Sequence, residues 1–342
     1  MTLLERGLVV SVVVPVYNNA ETIRQCLDSL LSQSYKDIEI IVVDDGSTDG
    51  TRDVVRGFPV KLIAVDHQGS SHARNVGIKE AEGQIIGFAE GDATYDKDYL
   101  ARSVAHFADA NVGGVIGPYF VKNPRNFLTR CKDVERRTHF SEYRPFTGWV
   151  YRKAVLELIG YFDERLSCGE DVDVGIRTRR AGFKIVYEPD AKWWHEEAER
   201  WSELLGRQFW YGREIIPFYA KQGDLPIPSI PTILFLASIP LSLFLPSLSV
   251  APVLLFVYAL AGGVTVRRLR WMRRAIRVTG DFTHSLGYLF IHFLIKLAQT
   301  LGLIAGLFKW RRVRAFFPSR TGRLVTASKL VRGVVYSILY DA

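Results

Sequence analysis

Through residues 8–89 the hydrophobic pattern switches between two periods. Residues 8–14 form a β-branched run, which predicts a buried strand. Residues 20–32 set Ile23, Leu27, Leu30 and Leu31 at helical spacing. Further strands are predicted over 37–43, 60–65 and 84–89. Between them fall a short helix through Val55, led by the cap residues Ser47, Thr48 and Asp49, and a helix over 70–81. Strands alternating with helices predict an α/β fold with a mostly parallel sheet covered on both faces. Ligands of such sheets bind beyond the carboxyl ends of the strands, at a topological switch point. Three loops leave those ends, at 15–19, 44–49 and 90–92, and are expected to meet in one crevice. Further along, 152–159 and 170–181 read as helices, the second closed by Gly182. A strand over 183–187 follows, then Trp193, Trp194 and His195. Residues 199–219 carry aromatic and aliphatic side chains at helical spacing, as in an amphipathic helix leaning on a membrane.

From 228 to 266 no formally charged residue occurs. A bilayer span needs about 20 apolar residues, so this run of roughly 38 is too long for one straight crossing. Pro240, Pro246 and Pro252 punctuate it, and 245–249 offers a turn, which favours a hairpin over a single kinked span. Arg267, Arg268, Arg270, Arg273, Arg274 and Arg277 follow, and basic residues favour the cytoplasmic side. Residues 284–308 are apolar again but carry His292, Lys296 and Gln299 on one stripe, which points to an interfacial or re-entrant helix. Another surface-lying segment is expected over 320–340. The expected division is a catalytic body over 1–220, a transmembrane hairpin over 221–266, and basic interfacial helices over 267–342.

Composition sharpens this picture. The chain has 342 residues, 48% of them hydrophobic, and a formal charge of +8. Residues 264–342 hold 15 Lys/Arg against 2 Asp/Glu, leaving a mildly acidic body. A basic tail interleaved with apolar runs fits anionic lipid headgroups better than nucleic acid. Cys26, Cys131 and Cys168 are scattered, which gives neither a zinc cluster nor a disulfide framework. The first residues lack a long apolar stretch behind a basic start, so no cleavable signal peptide is expected. These features predict an integral protein of the cell membrane with a cytosolic body.

Candidate chemistry begins where the fourth strand ends, in Glu90, Gly91 and Asp92. Carboxylates at i and i+2 share one face of a strand. Such a pair can grip Mg²⁺ or Mn²⁺ while leaving positions open for substrate phosphates. Taken alone, the pair is more commonly a charged strand end.

Its company changes that weighing. Val12 to Asn19, with Pro15 and Tyr17, is followed by Asp44-Asp45-Gly46-Ser47-Thr48-Asp49-Gly50, by Ala73-Arg74-Asn75-Val76-Gly77, and by Glu90-Gly91-Asp92. Gly169-Glu170-Asp171-Val172-Asp173 and Pro189 leading to His195 come later. This ordered series resembles family 2 glycosyltransferases of the GT-A, Rossmann-like fold, over about residues 8–215. It is also similar to prokaryotic membrane mannosyltransferases and, more distantly, to dolichyl-phosphate mannose synthases. The resemblance implies a nucleotide-sugar donor, GDP-mannose by general likeness, a divalent metal, and transfer with inversion. It would place Tyr17, Glu21, Asp44 and Asp45 around the nucleoside, Arg74 toward the donor phosphates, Pro15, Asn18 and Gly91 also among the donor-binding residues, and Glu90, Asp92 and His195 on Mn²⁺ or Mg²⁺. Glu90 departs from the family, which usually has Asp there.

The resemblance makes Asp171 the base, supported by Glu170 or Asp173. The ordinary reading is an acidic first turn favoured by the helix dipole. A hydroxyl acceptor benefits from a base, whereas a phosphate acceptor needs none. The motif therefore leans toward a hydroxyl on a lipid-linked or glycan acceptor, over a polyprenyl-phosphate sugar synthase. A non-catalytic membrane protein that binds sugar nucleotides is the alternative of another class. Trp149, Arg207, Trp210 and Lys296 are candidate acceptor or lipid contacts. Arg207 to Gly212 faintly resembles a motif of processive synthases, but Phe209 stands where Arg would precede the Trp. No Gly-x-Gly-x-x-Gly turn supports a dehydrogenase, and no Gly-rich loop after the first strand supports a nucleotidyltransferase. An ionisable residue in an apolar helix marks a functional position. Lys296→Ala is therefore expected to reduce transfer to a lipid acceptor; unchanged transfer in a membrane assay would remove Lys296 from the list.

Overall fold

The computed structural model describes residues 8–224 except 142, 144 and 146, residues 232 and 236, and residues 266–310. The expected hairpin over 221–266 and the tail beyond 310 lie largely or wholly outside the described residues. Contacts divide the chain into two compact units, 1–123 with 142–196, and 124–141 with 197–342.

The first unit is a mixed α/β layer structure. In chain order it holds β1 (Val10–Val16), α1 (Ile23–Leu31), β2 (Ile38–Asp45), α2 (Thr51–Arg56), β3 (Lys61–Val65), α3 (Ser70–Glu80) and β4 (Ile85–Phe88). Next come β5 (Ala93–Tyr95), α4 (Tyr99–Ala105), β6 (Val112–Ile116) and β7 (Tyr119–Val121). After the excursion into the second unit the chain adds β8 (Val150–Arg152), α6 (Lys153–Ile159), α7 (Glu170–Arg180), β9 (Lys184–Tyr187) and β10 (Trp193–His195). Seven strands form the main sheet in the order β3-β2-β1-β4-β8-β6-β9. The chain steps outward from β1 to β3 and then returns to place β4 on the other side of β1. That reversal is the switch point, and the loops after β1, β2 and β4 flank it. β8 is the one antiparallel strand, paired with both β4 and β6.

Alternation builds the two faces. Val10, Val12 and Val14 of β1 pack with Ile23, Leu27 and Leu30 of α1 in one buried layer. Val13 points the other way, into the layer of Ile41, Val43, Ala73, Ile78 and Phe88. A second sheet, β5-β10-β7, has three strands. Its register sets His195 opposite Ala93 on one side and Val121 on the other. β5, β6 and β7 come from residues 93–121, whose short elements give little periodic signal in the sequence, and β10 joins the second sheet from residues 193–195.

The second unit is helical: α5 (Phe127–Phe140), α8 (Trp201–Glu214), α9 (Ile216–Gln222), α10 (Val266–Thr279) and α11 (Phe282–Lys309). A single helix is expected over 199–219, yet α8 and α9 are separate. Pro217 falls in the first turn of α9, where its missing N–H costs nothing but where it cannot extend a preceding helix. α8 and α11 meet through glycine: a Cβ on Gly212 would lie 2.1 Å from the Gln299 carbonyl oxygen, and one on Gly302 2.0 Å from that of Phe209. α11 has 28 residues with mean hydropathy 1.6 and, by length and composition, is the one helix among the described residues able to cross a membrane.

α3 lies so close to β1 that a Cβ at Gly77 would stand 2.3 Å from Val13 Cγ1. Overpacking of this kind costs about 1–3 kcal/mol. Gly77→Ala is expected to lower the unfolding free energy by that amount in a urea titration followed by tryptophan fluorescence.

Candidate active site

Strand ends place the first half of the site. β1 and β2 run in register, Val16 beside Asp44. The β1 loop is laced to the β2 loop by short-range bonds. Asn18, with φ at +54°, accepts from the Thr48 N–H at 2.9 Å and donates its own N–H to Ser47 Oγ at 2.9 Å. Asn19 donates to Thr51 Oγ1 at 2.8 Å. Tyr17 is thereby held out at the rim, 45% exposed, with its ring stacked on His67 at 4.2 Å. Pro15 closes β1, and Glu21 stands exposed ahead of α1.

The two aspartates of the β2 end differ in what they have left to offer. Asp45 is spent on structure: it accepts the N–H groups of Gln68 at 2.8 Å and Gly69 at 2.9 Å, and His67 Nδ1 lies 2.9 Å from it. Asp44 is fully buried, with Oδ2 held by Arg52 at 2.5 Å and by the Ser47 N–H at 3.2 Å. Its Oδ1 is buried with no hydrogen-bond partner. A buried acceptor left open is costly unless a ligand fills it. Asp44 therefore carries a buried oxygen with capacity left to accept a hydrogen bond.

The acid pair sits beyond β4. Glu90 is fixed by its own N–H, which donates to Tyr95 Oη at 2.9 Å, and by its carbonyl, which accepts from the Ala93 N–H at 3.1 Å. Gly91 packs tightly here, since a Cβ would meet Val16 Cγ1 at 3.0 Å. Burial, then the charges of Asp92, Asp171 and Glu170, push the Glu90 carboxyl up to about 7, against the pull of Arg74. Two crowded acids on adjoining turns make a donor set suited to a hard divalent cation, which takes carboxylate oxygens and keeps sites for phosphate. His195 is paired in register with Ala93, the residue after Asp92, and its ring lies 5.1 Å from that of Tyr119. Among the described residues, however, no three His, Cys, Asp or Glu side chains are gathered as a metal-ligating group.

The second half of the site begins at α7. Gly169 takes φ +78°, the left-handed region open to glycine, and turns the chain so that Glu170 and Asp171 open the helix. Thr147 Oγ1 bonds the Asp171 carbonyl at 2.9 Å. Burial and the neighbouring Glu170 push Asp171 up to about 6, with Arg74 opposing. Arg74 is buried and donates to Glu170 at 3.0 Å, its guanidinium 5.5 Å from the Trp149 ring and 5.3 Å from that of Phe162. Arg74 thus joins the acids of α7 and also acts on Glu90. Asp173 faces elsewhere: fully buried, it holds Arg177 at 2.8 Å, which in turn caps the Ile159 and Tyr161 carbonyls.

Trp149 belongs to this unit, half-buried and edge-on to Trp193 at 6.0 Å. Arg207, Trp210 and Lys296 belong to the second unit. There Arg207 pairs with Glu197, Trp210 is exposed on α8, and Lys296 is half-buried on α11. Sequence reasoning missed His67 and Tyr95. The signal for Tyr95 was its place five residues after Glu90; no local pattern singles out His67.

A doubly wound sheet with an acid pair at one strand end, an open aspartate at another and a buried carboxylate across the crevice defines a GT-A glycosyltransferase. Residues 11–163 match the model described as Glycosyl transferase family 2. Glycosyltransferase AglE of Haloferax volcanii is 33% identical over 220 residues, covering 60% of this chain and 72% of that protein. The pre-mycofactocin glycosyltransferase of Mycobacterium tuberculosis is 29% identical over 239 residues, 65% of this chain and 50% of that protein. The mannosyltransferase PcManGT of Pyrobaculum calidifontis, solved with GDP-Man and Mn²⁺, superposes with a TM-score of 0.56 at 21% identity, over 89% of this chain and 88% of that one. The chain belongs to glycosyl transferase family 2 and is a nucleotide-sugar transferase.

A base must be ionised to act, so activity should fall as pH drops through about 6, where Asp171 takes up its proton. Removing a cation that favours the carboxylate raises its pKa. Arg74→Met should therefore move the acidic limb of the kcat/KM profile to higher pH. A limb left in place would take Arg74 out of this role.

Proposed function

We propose that this enzyme transfers a sugar, with inversion, from a nucleotide-sugar donor to a hydroxyl of a lipid-linked or glycan acceptor at the cytosolic face of the cell membrane. The observation that carries this reading is the electrostatic coupling of Glu90 and Asp171, two carboxyls drawn from opposite ends of the unit into one field. Carboxyls whose protonation is raised by burial and by one another's charge are the kind of group that catalytic sites use. Tyr17 offers its ring to the base, and the open Oδ1 of Asp44 accepts from the base edge or ribose. Glu90 and Asp92, with His195 beside them, would hold Mn²⁺ or Mg²⁺, which when bound neutralises the departing diphosphate. Asp171 accepts the proton of the attacking hydroxyl, and the positive charge of Arg74 favours its ionised form.

GDP-mannose is the donor proposed, supported by the GDP-Man complex of the Pyrobaculum enzyme. The membrane setting rests on α11 and on the Arg-rich α10, whose Arg270, Arg273 and Arg277 are exposed. Clustered arginine beside apolar helix suits an anionic leaflet. The domain division proposed is a catalytic body followed by a membrane segment and basic interfacial helices.

Asp171→Asn keeps the shape and removes the base. A positioned base contributes about 10²–10⁴-fold. The variant should lose transfer to a hydroxyl acceptor by that factor while binding GDP-mannose with Mn²⁺ as the parent does. If transfer to a polyprenyl phosphate persists at parental rate and hydroxyl transfer is absent in both proteins, the acceptor is a phosphate and this reading falls.

A further inference from the structure

His67, in the loop after β3, lies against the Tyr17 ring at 4.2 Å, with the two planes 27° apart. Both rings stand at the surface: the His67 side chain is 57% exposed and Tyr17 45%. The pair is nonetheless pinned from within. His67 Nδ1 lies 3.0 Å from the Asp45 carbonyl oxygen and 2.9 Å from its carboxylate. Both are acceptors, so Nδ1 is the nitrogen that carries the hydrogen. Asp45 itself is buried, and the two loops meet closely, since a Cβ on Gly46 would stand 3.0 Å from the His67 backbone nitrogen.

The 67–69 turn is already closed by the amides of Gln68 and Gly69, both accepted by the Asp45 carboxylate. The further bond to Nδ1 fixes the plane of a ring rather than the course of the chain. A stack this exposed buries little apolar area, so stability is a poor account of it. Tyr17 is followed by Asn18 at φ +54°, a left-handed backbone that costs a non-glycine residue energy and that gathers at ligand sites. Because His67 covers one face of Tyr17, what remains exposed of that ring is its opposite face and its edge. The strand end that pins His67 also carries Asp44, with its buried, open Oδ1. A fixed aromatic face beside an open acceptor suits a nucleobase, which has a flat π-face and N–H groups along its edge.

Resting on the reading of a nucleotide-sugar donor, we propose that His67 is a positioning residue for the nucleobase. Pinned to Asp45, it backs one face of Tyr17 and presents the other, giving a stack in the order base, Tyr17, His67. The base touches Tyr17, and His67 acts through it. Asp45 then enters the donor site by way of a ring rather than through its own oxygens.

The test is calorimetric titration of the full chain in detergent micelles, with Mn²⁺ present, using GDP, UDP and inorganic pyrophosphate. Loss of an aromatic platform corresponds to roughly fivefold or more in affinity for a base. His67→Ala should weaken each nucleotide that the parent binds by about that factor, while pyrophosphate, which has no base, stays within about twofold. His67→Gln retains a donor for Asp45 but no ring and should show the same loss; it supplies the reading should His67→Ala fail to fold, as judged by thermal unfolding. His67→Phe keeps a ring and should fall between the parent and His67→Ala. Combined with Tyr17→Ala, His67→Ala should cost no further affinity beyond about twofold, because its effect passes through the ring already removed. Parental nucleotide affinity in folded His67→Ala and His67→Gln overturns the proposal. Equal losses for nucleotides and pyrophosphate make the residue merely structural and also overturn it. Additive losses in the double variant put the base on His67 itself and overturn the order of the stack. A parent that binds no nucleotide removes the donor reading along with this proposal, whereas a parent that binds them with unaffected variants removes the role of His67 alone.

Discussion

Glu90, Asp92, Glu170 and Asp171 crowd around the carboxyl edge of one sheet, and a single buried guanidinium, that of Arg74, tempers them. Burial and mutual repulsion push Glu90 and Asp171 up, and Arg74 pulls both down. An unbalanced set of acids is unstable as packing but useful as a site, because it has affinity for positive charge built in. The rest of the first unit can be understood as the frame that keeps these acids close despite their repulsion.

That frame is topological. Glu90 and Asp92 come from the strand that lies beside β1 on the far side of the switch point. Asp44 comes from β2 on the near side, and Asp171 from a helix some 80 residues later. Main-chain bonds help to fix these segments. Tyr95 fixes the Glu90 amide, Thr147 fixes the Asp171 carbonyl, and Asn18 and Asn19 fix the β1 loop against the β2 loop. Anchoring of this kind fixes the positions of the loops that carry the acids, as preorganised sites require.

Much of this frame was legible from periodicity. β1 to β4, α1 and α3 are long enough, and alternate regularly enough, for their pattern to name them. The loops at the strand ends then follow from the rule that parallel sheets bind ligands at their carboxyl edge. The unread part has a physical cause. Strands of three residues, such as β5, β7 and β10, are too short to show an alternation, and β8 is held by partners on both sides rather than by its own pattern. The inequality of Asp44 and Asp45 was equally invisible, since it depends on which backbone amides arrive from residues 67–69. So was the pairing of Arg74 with Glu170, across 96 positions of sequence. Sequence could say that a carboxylate stands at 170, 171 and 173; only the fold separates the two that face the crevice from the one that anchors Arg177.

The second unit handles charge by the opposite rule. Its helices approach through glycine, with Gly212 against Gln299 and Gly302 against Phe209, so α8 and α11 meet backbone to backbone. Close approach of this kind is how helices associate where apolar burial gives little drive, as it does in lipid. Polar side chains in such a setting turn inward, and Gln299 bonds Gln208 across the same contact at 2.8 Å. The stripe that carries Gln299 on α11 is thus committed at that point to a neighbouring helix rather than to solvent.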